Sequence, residues 1–273
     1  MNIISLNTYM GHVFEPLMDF IETHRDSTDV FCFQEMMSSD DMELKHTEGT
    51  RRLNLLQEIQ TRLPDHNVFF DATQDDFETD TPYAGQSKLG SAIFYRKSLD
   101  MRETGSFMIC NAYNTFTPPD YSTLAHNAIY IVVNQDGHDY LICSVHGNSE
   151  PANKLDSPFR IEQFEKIRHF LNARNERRIL MGDFNAMPNT QSVMMFEEAG
   201  LRNLVREYDI KTTRGSNMRK LFPQYEHGTY GFQEFADYTF VSPEIPVTSF
   251  DVPDLPISDH LPMILEIDTT TVV

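Results

Sequence analysis

The chain has 273 residues, 40% of them hydrophobic and 11% aromatic, an apolar share that can close a core and is too high for a disordered polymer. Lys and Arg total 22 against 41 Asp and Glu, a formal charge of −19, which repels polyanions at long range and argues against tight, salt-driven binding of nucleic acid unless cations or a local basic patch intervene. Cys32, Cys110 and Cys143 are odd in number and set in apolar runs, so they read as buried thiols and support neither a disulfide framework nor a zinc cluster.

The chain opens on a strand-like run, residues 3–6, which leads into Asn7. No basic start or long apolar segment precedes it, so neither a signal peptide nor a membrane span is visible and a cytoplasmic location is expected. Phe14, Leu17, Met18 and Ile21 recur at helical spacing and predict an amphipathic helix. A second apolar run, 30–33, leads into Glu35, and Leu55, Leu56, Ile59 and Leu63 mark a second helix. Short runs at 68–70, 91–95, 129–133 and 140–145 read as strands, the later ones spaced closely enough for hairpins; Asn127 precedes the third and His146 follows the fourth. A third helix starts with Ser157 as cap and Pro158 at the first position, with Phe164, Ile167 and Leu171 as its inward stripe. The run 179–181 is followed by Asp183 and Asn185; Asp237 precedes the run 238–241; and Ser258, Asp259 and His260 precede a final run, 263–267. Two stretches, 71–87 and 212–236, resist assignment, and the second carries the one basic cluster, Arg214, Arg219 and Lys220. With no repeat or interdomain linker in sight, residues 1–273 are expected to form one α/β domain with a mixed sheet.

Taken singly, each polar residue has a structural reading: turn former, strand cap, solvated carboxylate or satisfied core histidine. Their joint placement argues otherwise. Asn7, Glu35, His146, Asp183 and Asn185 follow the ends of strands, whereas Asp237, Asp259 and His260 precede strands. If the last strands run antiparallel to the earlier ones, all these groups share one edge and converge on one cleft. Carboxylates, amides and histidines without a cysteine suit a hard cation, Mg²⁺ or Mn²⁺, which can polarise a phosphoryl oxygen and offset the charge that builds during in-line attack of water.

In chain order, Asn7, Phe33-Gln34-Glu35, Ser144-Val145-His146, Gly182-Asp183-Phe184-Asn185, Ala236-Asp237-Tyr238 and Ser258-Asp259-His260 resemble the endonuclease/exonuclease/phosphatase superfamily, the deoxyribonuclease I-like metal-dependent phosphoesterases. The resemblance implies a four-layer α/β/β/α sandwich of two mixed β-sheets flanked by helices. It also implies roles: Glu35 as the main ligand of Mg²⁺ (or Mn²⁺), with Asn7 and Asp259 at the same site; Asp183 as the group that orients and deprotonates water; and Asn185 as a holder of a phosphate oxygen. His260, oriented by Asp237, would donate to the phosphoryl group or act as an alternative base, and the residues leave that choice open. His146 would contact the phosphate or assist the leaving group. In the deoxyribonuclease-like pattern this histidine has a carboxylate partner from an earlier strand, and no matching Glu lies between Leu89 and Arg96. Asn127 resembles a phosphate-facing position in some relatives, Arg214 is a candidate anion contact against the alternative of a solvated basic loop, and Arg160 is expected to form a structural ion pair.

The function expected is Mg²⁺- or Mn²⁺-dependent hydrolysis of a phosphodiester or phosphomonoester, with nuclease and small-molecule or lipid phosphoesterase both open. The charge and the lack of an aromatic-basic stripe weigh toward a small or lipid ester over nucleic acid, and the lack of a membrane-inserting apolar loop weighs against sphingomyelin. The alternative from another class is a non-catalytic anion-binding or recognition module on the same fold. Nothing in the residues points to a protein partner.

Overall fold

In the computed structural model, residues 1–41, 51–75, 87–224 and 228–270 are described. Among the described residues twelve strands, numbered in chain order, form two six-stranded sheets. The first sheet runs β11 (Val247–Asp251), β12 (Met263–Ile267), β1 (Asn2–Asn7), β2 (Val30–Ser38), β4 (Lys88–Arg96) and β3 (His66–Asp75). The second runs β5 (Asp100–Cys110), β6 (His126–Gln135), β7 (His138–His146), β8 (Arg177–Asp183), β10 (Asp237–Val241) and β9 (Arg202–Asn203).

Each sheet is mixed for a reason visible in its connections. β1 and β2 are parallel and are joined through helix α1 (Phe14–His24); β7 and β8 are parallel and are joined through α3 (Pro158–Asn172). Parallel neighbours need such crossovers, whereas the hairpins of β3–β4, β5–β6 and β6–β7 pair antiparallel. The last strands also run antiparallel to the earlier ones, β10 to β8 and β12 to β1. Residues that precede β10 and β12 therefore lie at the same edge as residues that follow β1, β2, β7 and β8.

Alternation along the strands makes the layers. Ile3, Cys32 and Ile93 join the core between the sheets, while their neighbours Ile4, Phe31, Phe33, Ala92 and Phe94 join a second core with Leu17 and Ile21 of α1 and Ile59 of α2 (Leu55–Arg62). On the other side, Thr239 of β10 reaches across to Met263, whereas Phe240 packs with Phe184 and Phe196, the last from α4 (Gln191–Glu198). The result is the α/β/β/α sandwich. The α3 start follows its sequence signals: Ser157 Oγ accepts from Arg160 N–H at 3.1 Å, with Pro158 beside it.

Strands β5, β9 and β11 and helices α4, α5 (Leu204–Glu207) and α6 (Ser216–Leu221) go beyond the elements predicted. β5 and β11 are edge strands with much of their length facing solvent, so they lack the apolar runs used to find strands. Of the two unassigned stretches, the first begins as the continuation of β3 to Asp75, with 76–86 outside the described residues; the second contains α6, with 225–227 outside them. All three cysteines are buried and free. Among the described residues no helix is long and apolar enough to cross a membrane.

Candidate active site

Strand register brings the site together. His146 at the end of β7 pairs with Asp183 at the end of β8, and Asp183 pairs with Asp237 at the start of β10, so the three form one row across the second sheet. In the first sheet Asn7 ends β1 beside Gln34 of β2. Glu35 comes next, where the β2–β4 register shifts, with φ at +53°. A non-glycine residue in that conformation costs energy and sits where the ladder is already broken, which turns its side chain out of the strand's alternation.

The two rows meet. Asn7 Nδ2 donates to Glu35 Oε1 and to Asp183 Oδ2, each at 3.0 Å, while its Oδ1 accepts from Tyr9 N–H at 3.0 Å. Below this contact Gln34 Nε2 donates to Ser144 Oγ at 2.9 Å, a second polar link between the sheets. Ser258 Oγ donates to the Asn7 carbonyl at 2.7 Å and so brings Asp259 and His260 to the same edge.

Asp183 is the hub. Its Oδ1 accepts from Asn185 N–H at 2.8 Å and its Oδ2 from Asn185 Nδ2 at 3.2 Å; His260 Nε2 lies 3.6 Å and His146 Nε2 3.8 Å from Oδ2. Burial opposes its ionisation, but His260, His146, Lys154 and Arg214 outweigh that, so its carboxyl is held below the usual range. His260 Nδ1 lies 2.8 Å from Asp237 Oδ2, and Arg214 Nη1 lies 2.6 Å from His260 Nε2. Since guanidinium can only donate, the contact needs a lone pair on Nε2 and places the imidazole hydrogen on Nδ1, facing Asp237. Burial and Arg214 oppose a charged His260, and the carboxylates of Asp237, Asp259 and Asp183 overcome them to raise its pKa. Glu35 is shifted upward by burial and by Asp259, against the pull of His146 and Asn7, a sign of a pocket short of positive charge.

All the motif residues predicted therefore lie around one edge. Arg214 belongs there too: it is buried, and its Nη2 donates to Asp259 Oδ2 at 3.2 Å, which rules out the solvated-loop alternative for this residue, although Arg219 pairs with Glu234 and Lys220 is exposed. Asn127 is buried beside this edge, with Nδ2 donating to Asp71 Oδ2 at 2.8 Å and, among the described residues, Oδ1 without a hydrogen-bond partner. The tightest group of potential metal ligands among the described residues is Asp183, Asp237 and His260, whose ligand atoms lie within 4.8 Å of one another; it differs from the set Asn7, Glu35 and Asp259 and is already knit by the Asp237–His260 hydrogen bond.

One expectation needs correction. Arg160 forms no ion pair among the described residues; it is buried and donates to the carbonyls of Pro151 at 3.2 Å, of Asn148 and Ser149 at 3.4 Å, and of Leu155, because the loop after β7 turns its backbone oxygens inward. The stretch Leu89 to Arg96 supplies no carboxylate to His146, and Glu35 and Asp183 instead lie 3.8 Å from its Nε2. Three further residues border the site without any signal in the sequence: Asp71, His126 and Lys154. The His126 ring stands edge-on to His146 with centroids 4.4 Å apart, and burial, then His146, drives its pKa well down, so it props the ring as a neutral group. No sequence pattern marks any of the three.

The match to the Endonuclease/Exonuclease/phosphatase family model extends over residues 4–260, and the chain belongs to that family. Among solved structures, an endonuclease/exonuclease/phosphatase family protein from Leptotrichia buccalis is similar, with TM-score 0.69 and 20% identity over 98% of this chain and 99% of that one. A mannosyl-6-phosphatase from Bacteroides thetaiotaomicron superposes with TM-score 0.68 and 18% identity over 98% and 99% of the two chains. The human Nocturnin catalytic domain, with bound sulfate, gives 0.66 and 16% over 98% and 93%. At these identities the likeness is one of fold. No curated protein sequence matches the chain.

Proposed function

We propose that the protein is a Mg²⁺- or Mn²⁺-dependent hydrolase of a small phosphoester. The observation that carries the reading is Asp183: one buried carboxylate within 4 Å of Asn7, Asn185, His146 and His260. This is the environment a water-activating base needs, ionised at neutral pH and flanked by donors for an oxyanion. His260, with Nδ1 toward Asp237, is the alternative base or a donor to the phosphoryl oxygen.

The residues fit a divalent cation. Glu35, Asp183, Asp237 and Asp259 crowd one edge beside Arg214 and Lys154, and Glu35 is held above its ordinary pKa by burial. Oxygen ligands without a thiolate suit Mg²⁺ or Mn²⁺, and Glu35 with Asp259 and Asn7 would hold the ion. When bound, the ion supplies Lewis-acid polarisation of the phosphoryl group and offsets transition-state charge. Asn185 and His146 would then orient the phosphoryl group and its leaving oxygen.

The formal charge of −19 favours a small ester over a polyanion, and the mannosyl-6-phosphatase likeness is in keeping with that. The test is a panel of sugar phosphates, inositol phosphates, nucleotides, DNA, RNA and choline lipids with Mg²⁺ or Mn²⁺. Turnover of a small ester that exceeds that of nucleic acid and stops in EDTA is expected. No release from any class with either metal would leave the non-catalytic recognition module as the better account.

A further inference from the structure

Lys154 lies in the loop between β7 and α3, and the loop is pinned. Lys154 N–H donates to the Pro151 carbonyl and its own carbonyl accepts from Met187 N–H, both at 2.9 Å. Met187 lies two residues beyond Asn185, so this bond ties the loop to the strand end that carries Asp183. Arg160 holds four carbonyls of the same loop, and Gln233 Nε2 donates to the Ala152 carbonyl at 2.9 Å.

The lysine set on this support is oddly placed. Its backbone is left-handed, with φ at +56°, and only 7% of it is exposed. Among the described residues its ammonium has neither a hydrogen bond nor an ion pair, and the charges that bear on it are Arg214, Asp183, Asp237 and Asp259, every one a residue of the site. A lysine so nearly enclosed, with no protein acceptor for its ammonium among the described residues, gives up much of its hydration and gains from an acceptor placed at the remaining opening. Among the described residues no carboxylate lies within hydrogen-bond range of the ammonium, so the place is open to an anionic acceptor from outside.

We propose that Lys154 is a substrate-binding residue whose ammonium donates to a non-bridging oxygen of the phosphoryl group held at the Asp183 edge. This rests on the phosphoester reading and adds to it a contact that none of the family-like motifs contains. A lysine that merely balanced the carboxylates would sit in hydrogen-bond range of one of them, and this one does not.

The test compares wild type, Lys154→Met and Lys154→Arg, in saturating Mg²⁺, by thermal unfolding with and without inorganic phosphate and by KM and kcat on a turned-over ester. Phosphate should raise the wild-type Tm, Lys154→Met should lose most of that rise, and Lys154→Arg should recover part of it. KM should rise about tenfold or more in Lys154→Met, the scale of one charge-assisted hydrogen bond, while its phosphate-free Tm stays level or climbs. No phosphate shift in wild type, an equal shift in Lys154→Met, or a phosphate-free Lys154→Met that melts well below wild type would overturn the inference. The phosphate arm is independent of turnover: a Lys154-dependent shift without hydrolysis of any ester sinks the hydrolase reading alone, and hydrolysis with unchanged KM in Lys154→Met sinks this contact alone.

Discussion

Asp183 stands at the centre of the proposed site because strand register sets its neighbours: Asp237 and His146 flank it on adjacent strands, and Asn7 reaches it from the other sheet. Asp183→Asn keeps the shape and removes the charge, so kcat should fall about 10²-fold or more, the usual cost of losing a positioned base, in steady-state assays on the best ester. Lys154 offers a prediction about stability. Burial, then Arg214, lowers its pKa from 10.5 to about 7, with Asp183, Asp237 and Asp259 pulling the other way. A folded-state pKa below the unfolded one means that between about pH 7 and 10.5 the unfolded chain keeps a proton the folded chain has released. The destabilisation is therefore complete below pH 7 and fades as pH rises. Thermal unfolding without phosphate should show Lys154→Met above wild type at pH 6 and the gap closing by pH 10. The motif residues were legible because each follows or precedes an apolar run; Lys154, His126 and Asp71 were not, because their roles come from a loop fold and from cross-strand neighbours that no local pattern encodes.

At the scale of elements, the close pairing of β7 with β8 sets the His146–Asp183 distance. Gly182 has φ at +133°, and a Cβ there would lie 2.2 Å from the Val145 carbonyl oxygen of the neighbouring strand. Gly182→Ala must open that pairing, and a loss of about 2–4 kcal/mol is expected in denaturant unfolding, together with lost activity. Ser157→Ala removes the cap of α3 and should cost about 1 kcal/mol by the same measurement. Period and capping revealed α1, α2, α3 and the central strands, where alternation and apolar runs are strong. The edge strands β5 and β11 and the short helices α5 and α6 were illegible because partners or loops, not their own pattern, hold them in place.

For the whole molecule, two mixed sheets turn residues from opposite ends of the chain into neighbours: Ser258 donates to Asn7 across 251 positions. That the late strands run antiparallel was the geometric condition under which the scattered polar residues could meet, and β10 and β12 satisfy it. Substrate identity was not legible because the proposed site is built from strand ends common to the fold, whereas loops, which carry no local pattern, commonly set specificity. The decisive measurement strips the protein with EDTA and follows release from a chromogenic phosphoester as Mn²⁺ is added back, with Glu35→Ala alongside. Activity should vanish on stripping, return saturably in wild type and stay at least about 10²-fold lower in Glu35→Ala. Release that persists in EDTA, or a variant restored as fully as wild type, would contradict the account.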